Sequence, residues 1–218
     1  VYTSTYLKLT KKTAPEIYAM YQRACRRFGV EKMPDIYLHR SYDCSTFLFG
    51  MESPKIMISS SLLELLPPQE LETFLASDVA AMKAGHGMIG LLLMVVNSFG
   101  GTLPISSGLL TYPLYQWKRQ SYYTYDRARL LFCGDFDLTA RLIGCGEAPE
   151  DIMEQTPLEE RMRQNAEFLQ ISGTAGAAKA LQTLSTARPW NASRLTELYN
   201  WVESGTYQTV KEANDGLL

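Results

Sequence analysis

The order of two periodicities along the chain constrains its fold most strongly. Apolar residues recur at helical spacing over residues 12–28. Three short runs of strand-forming residues then follow at 36–38, 47–50 and 55–59. From residue 67 onwards the spacing is helical again. This order predicts a small sheet that is surrounded by helices.

The helices predicted after the strands leave room for one small sheet only. Pro67 and Pro68 are suited to a first helical turn, and the helix that they open either ends near Met82 or continues past Gly85. The predicted helices cover residues 67–82, 114–130, 135–145, 158–171, 174–185 and 192–203. The fold class is therefore expected to be α+β. The length of 218 residues favours one domain, 1–218. No signal peptide opens the sequence, and its start at Val1 leads us to expect that it is cut from a longer chain.

Charge and cysteine usage exclude several classes of function. The net charge of -2 gives no long-range attraction for nucleic acid, so no nucleic-acid partner is expected. The four cysteines, none of them in a CxxC pair, are Cys25, Cys44, Cys133 and Cys145. This spacing suits neither a disulfide framework nor a zinc site and favours a reducing, cytoplasmic location. The only histidines are His39 and His86, so ligands for a metal are scarce.

An uncharged stretch extends from Gly87 to Trp117. Its apolar run, 88–96, is shorter than the ~20 residues that span a bilayer. Asn97 and Pro104 lie in the part that follows the run. The run predicts a buried core helix, with membrane association or contact with a missing partner segment through 88–117 as the alternative.

Three segments in order carry a family resemblance. The first comprises residues 34–38, 45–50 and 56–63, and it resembles the HtpX-like zinc peptidases, which are related to the CAAX prenyl endopeptidases. In that family a strand precedes Asn-Ala-Phe-x-x-Gly, a second strand and a Ser-x-x-Leu segment. Ser45 stands in place of the substrate-holding asparagine of the family. The resemblance implies a zincin-like fold.

The helix after these strands aligns with the zinc-binding helix of the family. That helix is expected to carry Leu-Ala-His-Glu-x-x-His-Ile-Lys-x-x-His. The positions that match are Leu75, Ala76, Lys83 and His86. Both zinc-binding histidines are replaced, by Ser77 and Ala81, and the general-base glutamate is replaced by Asp78.

The second segment, 117–131, resembles Trp-x-Arg-x-x-Glu-x-x-x-Asp-Arg-Ala-x-Leu-Leu of the same family. The glutamate that would be the third zinc ligand is Tyr122 here. Asp126 and Arg127 match, and we expect them to hold helices together through paired hydrogen bonds.

The third segment, 187–195, resembles His-x-Pro-x-x-x-x-Arg. Its histidine is replaced by Ala187, and its arginine is kept as Arg194. With this segment the resemblance extends from about Thr10 to Tyr207.

The replaced positions predict a peptidase scaffold without peptidase chemistry. Catalytic zinc needs three protein ligands and an open water position, so zinc is expected to be absent. Without zinc the pKa of water is not lowered toward neutrality, so no hydroxide nucleophile forms at neutral pH. No catalytic residue is therefore expected, and the degenerate positions are Ser77, Asp78, Ala81, Tyr122 and Ala187.

A binding role follows if the former cleft is retained. A protein or peptide partner would dock along an edge strand formed by 47–51. The residues expected to line this cleft are Ser45, Phe47, Asp78, Tyr122, Asp126 and Arg194. The alternative is a residual metallopeptidase or hydrolase with a non-standard metal site made by His86, Asp78 and Asp126.

The void left by two imidazoles and a zinc ion needs to be filled, because cavities destabilise a core. Tyr122 is larger than the glutamate that it replaces. We expect its ring to fill the former metal position and its hydroxyl to hydrogen-bond Asp78 or Ser77.

Overall fold

A four-stranded mixed sheet lies at the N-terminal end of the described chain. The structure, a computed structural model, describes residues 5–50, 52–99, 107–145, 152 and 155–215. The strands are β1 (Leu7–Leu9), β2 (Asp35–His39), β3 (Thr46–Phe49) and β4 (Lys55–Ser59). Their order is β1-β2-β4-β3, in which β2 and β4 are parallel and the two other pairs are antiparallel. The three predicted strands are confirmed, whereas β1 is too short for its periodicity to be recognised.

Helices make up most of the remaining described chain, which confirms the α+β class. They are α1 (Pro15–Arg27), α2 (Ser60–Leu65), α3 (Pro68–Lys83), α4 (Gly87–Phe99), α5 (Ser107–Cys133), α6 (Phe136–Ile143), α7 (Leu158–Gln170), α8 (Gly173–Ser185), α9 (Asn191–Glu203) and α10 (Thr206–Asp215). Helix α5 begins seven residues before the predicted start at Leu114 and includes Pro113. Helices α2 and α10 were not predicted from the sequence.

Helix α3 is the centre of the fold because it is buried on almost every side. Leu75 and Val79 of α3 have no exposed surface and belong to the core that α3 shares with the sheet and α1. Tyr21 of α1 and Ile36 of β2 belong to the same core. Helix α5 packs along another side of α3. The two segments that the resemblance aligns with zinc motifs, one on each helix, are thereby brought face to face.

Helix α3 ends before the uncharged stretch, so it does not continue past Gly85. That residue has a φ of 80°, which glycine adopts without strain. Helices α3 and α4 bend by 80° at this break.

The core-helix prediction for 88–96 is confirmed for one face only: Ile89 and Leu93 are buried, whereas Leu92 and Val95 are exposed. No single helix among the described residues is long and apolar enough to cross a membrane; α3 and the first part of α4 reach the required length only together. The remainder of 88–117 includes residues outside the described ranges.

Candidate functional site

A cleft opens where α3, α5, the segment before β3 and the segment before α9 meet. It encloses about 70 Å³. The side chains that line it are Cys44, Ser45, Thr46, Phe74, Lys118, Tyr122, Tyr125, Arg129, Leu142, Cys145, Arg188 and Arg194. Four of these twelve residues are basic and none is acidic. The lining of this cleft is therefore basic.

The position that the resemblance aligns with the first zinc-binding histidine holds a serine, which contacts a cation. Ser77 is fully buried and its hydroxyl donates to the Phe74 carbonyl oxygen at 2.6 Å. The same hydroxyl accepts from Arg129 Nε at 3.2 Å. The guanidinium carbon of Arg129 lies 4.1 Å from the centre of the Phe74 ring. A buried guanidinium thus lies directly beside the position where the family resemblance would place a metal ion.

These donors do not fit zinc. Ser77 offers a neutral hydroxyl that already has two partners, and Ala81, also fully buried, offers no donor. The positive charge of Arg129 beside Ser77 adds electrostatic repulsion for a dication.

The alternative metal site, made by His86, Asp78 and Asp126, does not assemble either. His86 Nε2 lies 3.1 Å from Thr124 Oγ1, and its ring stacks on Tyr125 at 6.5 Å. Burial, followed by the charge of Lys118, lowers the pKa of His86. Within the described ranges no three His, Cys, Asp or Glu side chains come together as metal ligands.

Asp78 lies behind the cleft wall with one oxygen unpaired. Thr46 Oγ1 donates to Asp78 Oδ1 at 2.8 Å, whereas Asp78 Oδ2 is buried without a hydrogen-bond partner. Burial raises the pKa of Asp78 to about 7, although the Thr46 hydrogen bond and the charges of Arg129 and Lys118 act in the opposite direction. Near neutral pH this carboxyl therefore exchanges between its protonated and ionised forms.

Asp126 forms a buried ion pair with Arg194 across α5 and α9. Arg194 Nε donates to Asp126 Oδ2 at 2.9 Å and Arg194 Nη2 donates to Oδ1 at 2.5 Å. Arg129 Nη1 approaches Oδ1 at 3.4 Å. Asp126 therefore holds helices together as expected, but its partner is Arg194. Arg127, predicted to share this role, lies 5.4 Å from the centre of the Trp201 ring.

Tyr122 lines the cleft, but its expected hydrogen bond is wrong. The partners of Ser77 are Phe74 and Arg129, and Asp78 is bonded by Thr46. Two cations instead lie near the Tyr122 ring: Arg194 at 5.1 Å and Lys118 at 5.3 Å from the ring centre.

The sequence identified part of this cleft. Ser45, Tyr122 and Arg194 line it, whereas Asp78 and Asp126 lie behind its surface and Phe47 lies outside the lining. Ala187 immediately precedes Arg188, and this segment is tied to α5 because Arg119 donates to the Thr183 carbonyl oxygen at 2.6 Å. The residues that the sequence reasoning missed are Cys44, Thr46, Phe74, Lys118, Tyr125, Arg129, Leu142, Cys145 and Arg188.

A signal for some of the missed residues was present. Lys118, Tyr122, Tyr125 and Arg129 recur at intervals of four, three and four residues, which places them on one helix face. Cys44 and Cys145 had no such signal, because they lie 101 residues apart in sequence. A hydrogen bond with Cys44 lowers the pKa of the Cys145 thiol.

Strand β3 is at the edge of the sheet, as predicted, but α4 lies against its outer side. Ser59 N–H donates to the Ser45 carbonyl at 3.1 Å, so by antiparallel alternation the backbone groups of Leu48 and Gly50 face away from β4. A Cβ atom at Gly87 would lie 2.5 Å from the Gly50 oxygen, and one at Gly90 would overlap the Leu48 oxygen. Helix α4 thus covers much of the edge that the resemblance assigns to substrate.

Gly90→Ala tests this close approach. We expect the substitution to lower the free energy of unfolding by about 1–2 kcal/mol, because overlap with a backbone oxygen outweighs the higher helix propensity of alanine. It should also speed amide hydrogen exchange in β3. Gly176→Ala is the control. A Cβ atom at Gly176 would lie 3.0 Å from the Ile171 oxygen, which is a tight contact but a longer distance than that at Gly90. Equal stability of the two variants would contradict the proposed packing.

Comparison with known proteins gives one distant similarity. The chain is 23% identical over 222 residues to the plastoglobule-localized metallopeptidase 48 of Arabidopsis thaliana, a chloroplastic protein. The aligned region includes 96% of this chain and 64% of that protein, so the chain spans less than two thirds of its relative. No protein-family profile and no solved structure matches. The cytoplasmic location expected from the sequence stays a prediction. The similarity supports a metallopeptidase-like family for this chain.

Proposed function

We propose that this protein is a catalytically inactive metallopeptidase homologue, with a zincin-like ancestry, that acts by binding a peptide or protein in its former active-site cleft. The observation that carries the proposal is the Arg129–Ser77 hydrogen bond of 3.2 Å. A guanidinium beside the first ligand position supplies a fixed positive charge in place of a metal. Such a charge binds anionic groups but generates no hydroxide nucleophile.

The covered edge of β3 limits how a partner is bound. Because α4 lies on the outward backbone groups of Leu48 and Gly50, an added strand has little room along this part of β3. The cleft itself is reached beside Ser45 and Thr46, which precede the covered part. We therefore place the partner at that end of β3.

Metal content and peptide cleavage test the loss of activity. After dialysis against zinc, elemental mass spectrometry should find far less than one zinc per chain, and fluorogenic peptides should not be cleaved in a chelator-sensitive manner. The triple variant Ser77→His, Ala81→His and Tyr122→Glu restores the family ligand types and serves as the positive control for zinc uptake.

One zinc per wild-type chain together with chelator-sensitive cleavage would overturn the proposal. That result would favour a residual metallopeptidase or hydrolase with a non-standard metal site. The unpaired oxygen of Asp78 would then be the first candidate base.

A further inference from the structure

The charge on the cleft wall is of one sign. Its basic residues are Lys118, Arg129, Arg188 and Arg194. A concave surface lined by cations and backed by a protein interior concentrates its field on an incoming anion. The shape and charge of the wall therefore favour a negatively charged ligand.

Two buried carboxylates balance this charge only in part. Asp126 is bonded to Arg194 and approached by Arg129. Asp78 lies one layer deeper, behind the Thr46 hydroxyl that donates to it. Neither carboxylate belongs to the lining of the cleft.

Lys118 feels the charge of Asp78, but no carboxylate among the described residues accepts a hydrogen bond from it. Its ammonium lies 5.3 Å and 5.7 Å from the ring centres of Tyr122 and Tyr125. In the part of the chain that the structure describes, no oxygen accepts a hydrogen bond from it. Its partial burial lowers the pKa of Lys118, because the ammonium has given up water without gaining an oxygen partner. A bound anion would supply that partner.

We infer that this cleft is a binding site for a single oxyanion group, a carboxylate or a phosphate, held by Lys118, with Arg188 as a second cation of the same lining. The inference rests on the proposed function in that the cleft binds its ligand without cleaving it. A volume of about 70 Å³ admits one such group and not a bulky ligand. The carboxylate of a peptide and free inorganic phosphate share this chemistry, and both can be tested.

Calorimetric titration with two probes tests the site. The first probe is inorganic phosphate, and the second is an acetylated trialanine with a free carboxylate, compared with its C-terminal amide. We expect at least one anion to bind and the amide not to bind. Binding of phosphate alone would assign the site to a free oxyanion, and binding of the peptide carboxylate would assign it to a polypeptide terminus.

Lys118→Met should weaken binding by about tenfold or more, because a charged hydrogen-bond donor is lost. Lys211→Met is the matched control, since Lys211 also lies over a tyrosine ring, Tyr207 at 5.9 Å, but outside the cleft. It should bind as the wild type does. Equal affinity of Lys118→Met and the wild type, or no binding of either anion, would overturn the inference.

Folding and function can be separated in this experiment. Lys118→Met loses no described hydrogen bond, so its melting temperature should equal or exceed that of the wild type. If it fails to fold, Arg188→Gln and the NMR signal of the Lys118 ammonium during phosphate titration provide the same test. If no anion binds, the anion site is wrong, but the metal and cleavage results still test the proposed function. If zinc-dependent cleavage is found, the proposed function is wrong, but a measured anion site still stands.

Discussion

Asp78→Asn is expected to stabilise the protein at pH 8 by roughly 1–3 kcal/mol. Asp78 has no exposed surface, and its Oδ2 has no hydrogen-bond partner, so its ionised form is poorly solvated. An asparagine in the same position keeps an acceptor for the Thr46 hydroxyl and carries no charge. A pKa change from 3.8 to about 7 corresponds to at most about 4 kcal/mol, of which relaxation around the site recovers part.

The direction of the pH dependence follows from proton linkage. The folded protein keeps a proton on Asp78 up to about pH 7, whereas the unfolded chain releases it near pH 3.8. Wild-type stability should therefore fall as the pH rises between these values and level off above them. In Asp78→Asn this fall should disappear.

Chemical denaturation between pH 4 and pH 8 measures the effect of Asp78. Asp43→Asn is the control, because Asp43 is an exposed aspartate. A variant at position 78 that is less stable than the wild type at pH 8, or that keeps the wild-type pH profile, would contradict the role given to Asp78.

Arg194→Leu is expected to destabilise the protein by about 3–5 kcal/mol. The substitution removes both hydrogen bonds of the buried pair and leaves Asp126 with only the 3.4 Å contact from Arg129. A buried carboxylate that has lost its partner is costly, whereas removing both charges is much cheaper. The double variant Asp126→Leu, Arg194→Leu should therefore be more stable than the single variant.

Arg163→Leu provides the matched control for Arg194. It breaks ion pairs with Glu160 and Glu167 that are close in distance but lie on the surface. Surface pairs contribute little, so the urea midpoint should hardly change. If Arg163→Leu and Arg194→Leu lowered the free energy of unfolding by similar amounts, burial would not be the reason that the Asp126–Arg194 pair stabilises the protein.

These two expectations share one physical cause. The region between α3 and α5 holds charged groups at the positions where the family resemblance would place a neutralised metal centre. Arg129 contacts Ser77 and approaches Asp126, so one guanidinium connects α3 and α5. The cleft lining holds four cations, of which Arg129 and Arg194 are buried, and the layer behind it holds the carboxylates.

Periodicity predicted the order of most elements, because the spacing of apolar side chains along a helix or a strand is a local property of the chain. Strands β2, β3 and β4 and most helices lie within a few residues of their expected positions. The start of α5 was missed because Pro113 lies inside it and the preceding stretch is uncharged. The sequence did not determine whether α3 ends near Met82 or continues past Gly85. The structure shows that it ends there, where Gly85 has a positive φ.

The candidate site was less accessible to sequence reasoning. The resemblance aligns Ser77, Ala81 and Tyr122 with zinc ligands, and their residue types alone predict that such ligands are missing. Their actual partners were not recognised. Tyr122 was expected to bond Ser77 or Asp78, but Arg129 and Thr46 do so.

The sequence by itself determined the α+β class, the order of β2, β3, β4 and most helices, and the types of residue at the positions that the resemblance aligns with zinc ligands. Only the tertiary structure decided that Arg129 contacts Ser77, that α4 covers β3, and that Lys118 has no oxygen partner among the described residues. The reason is physical. Periodicity and residue type are local properties of a chain, whereas a contact between side chains 52 positions apart depends on how whole helices pack.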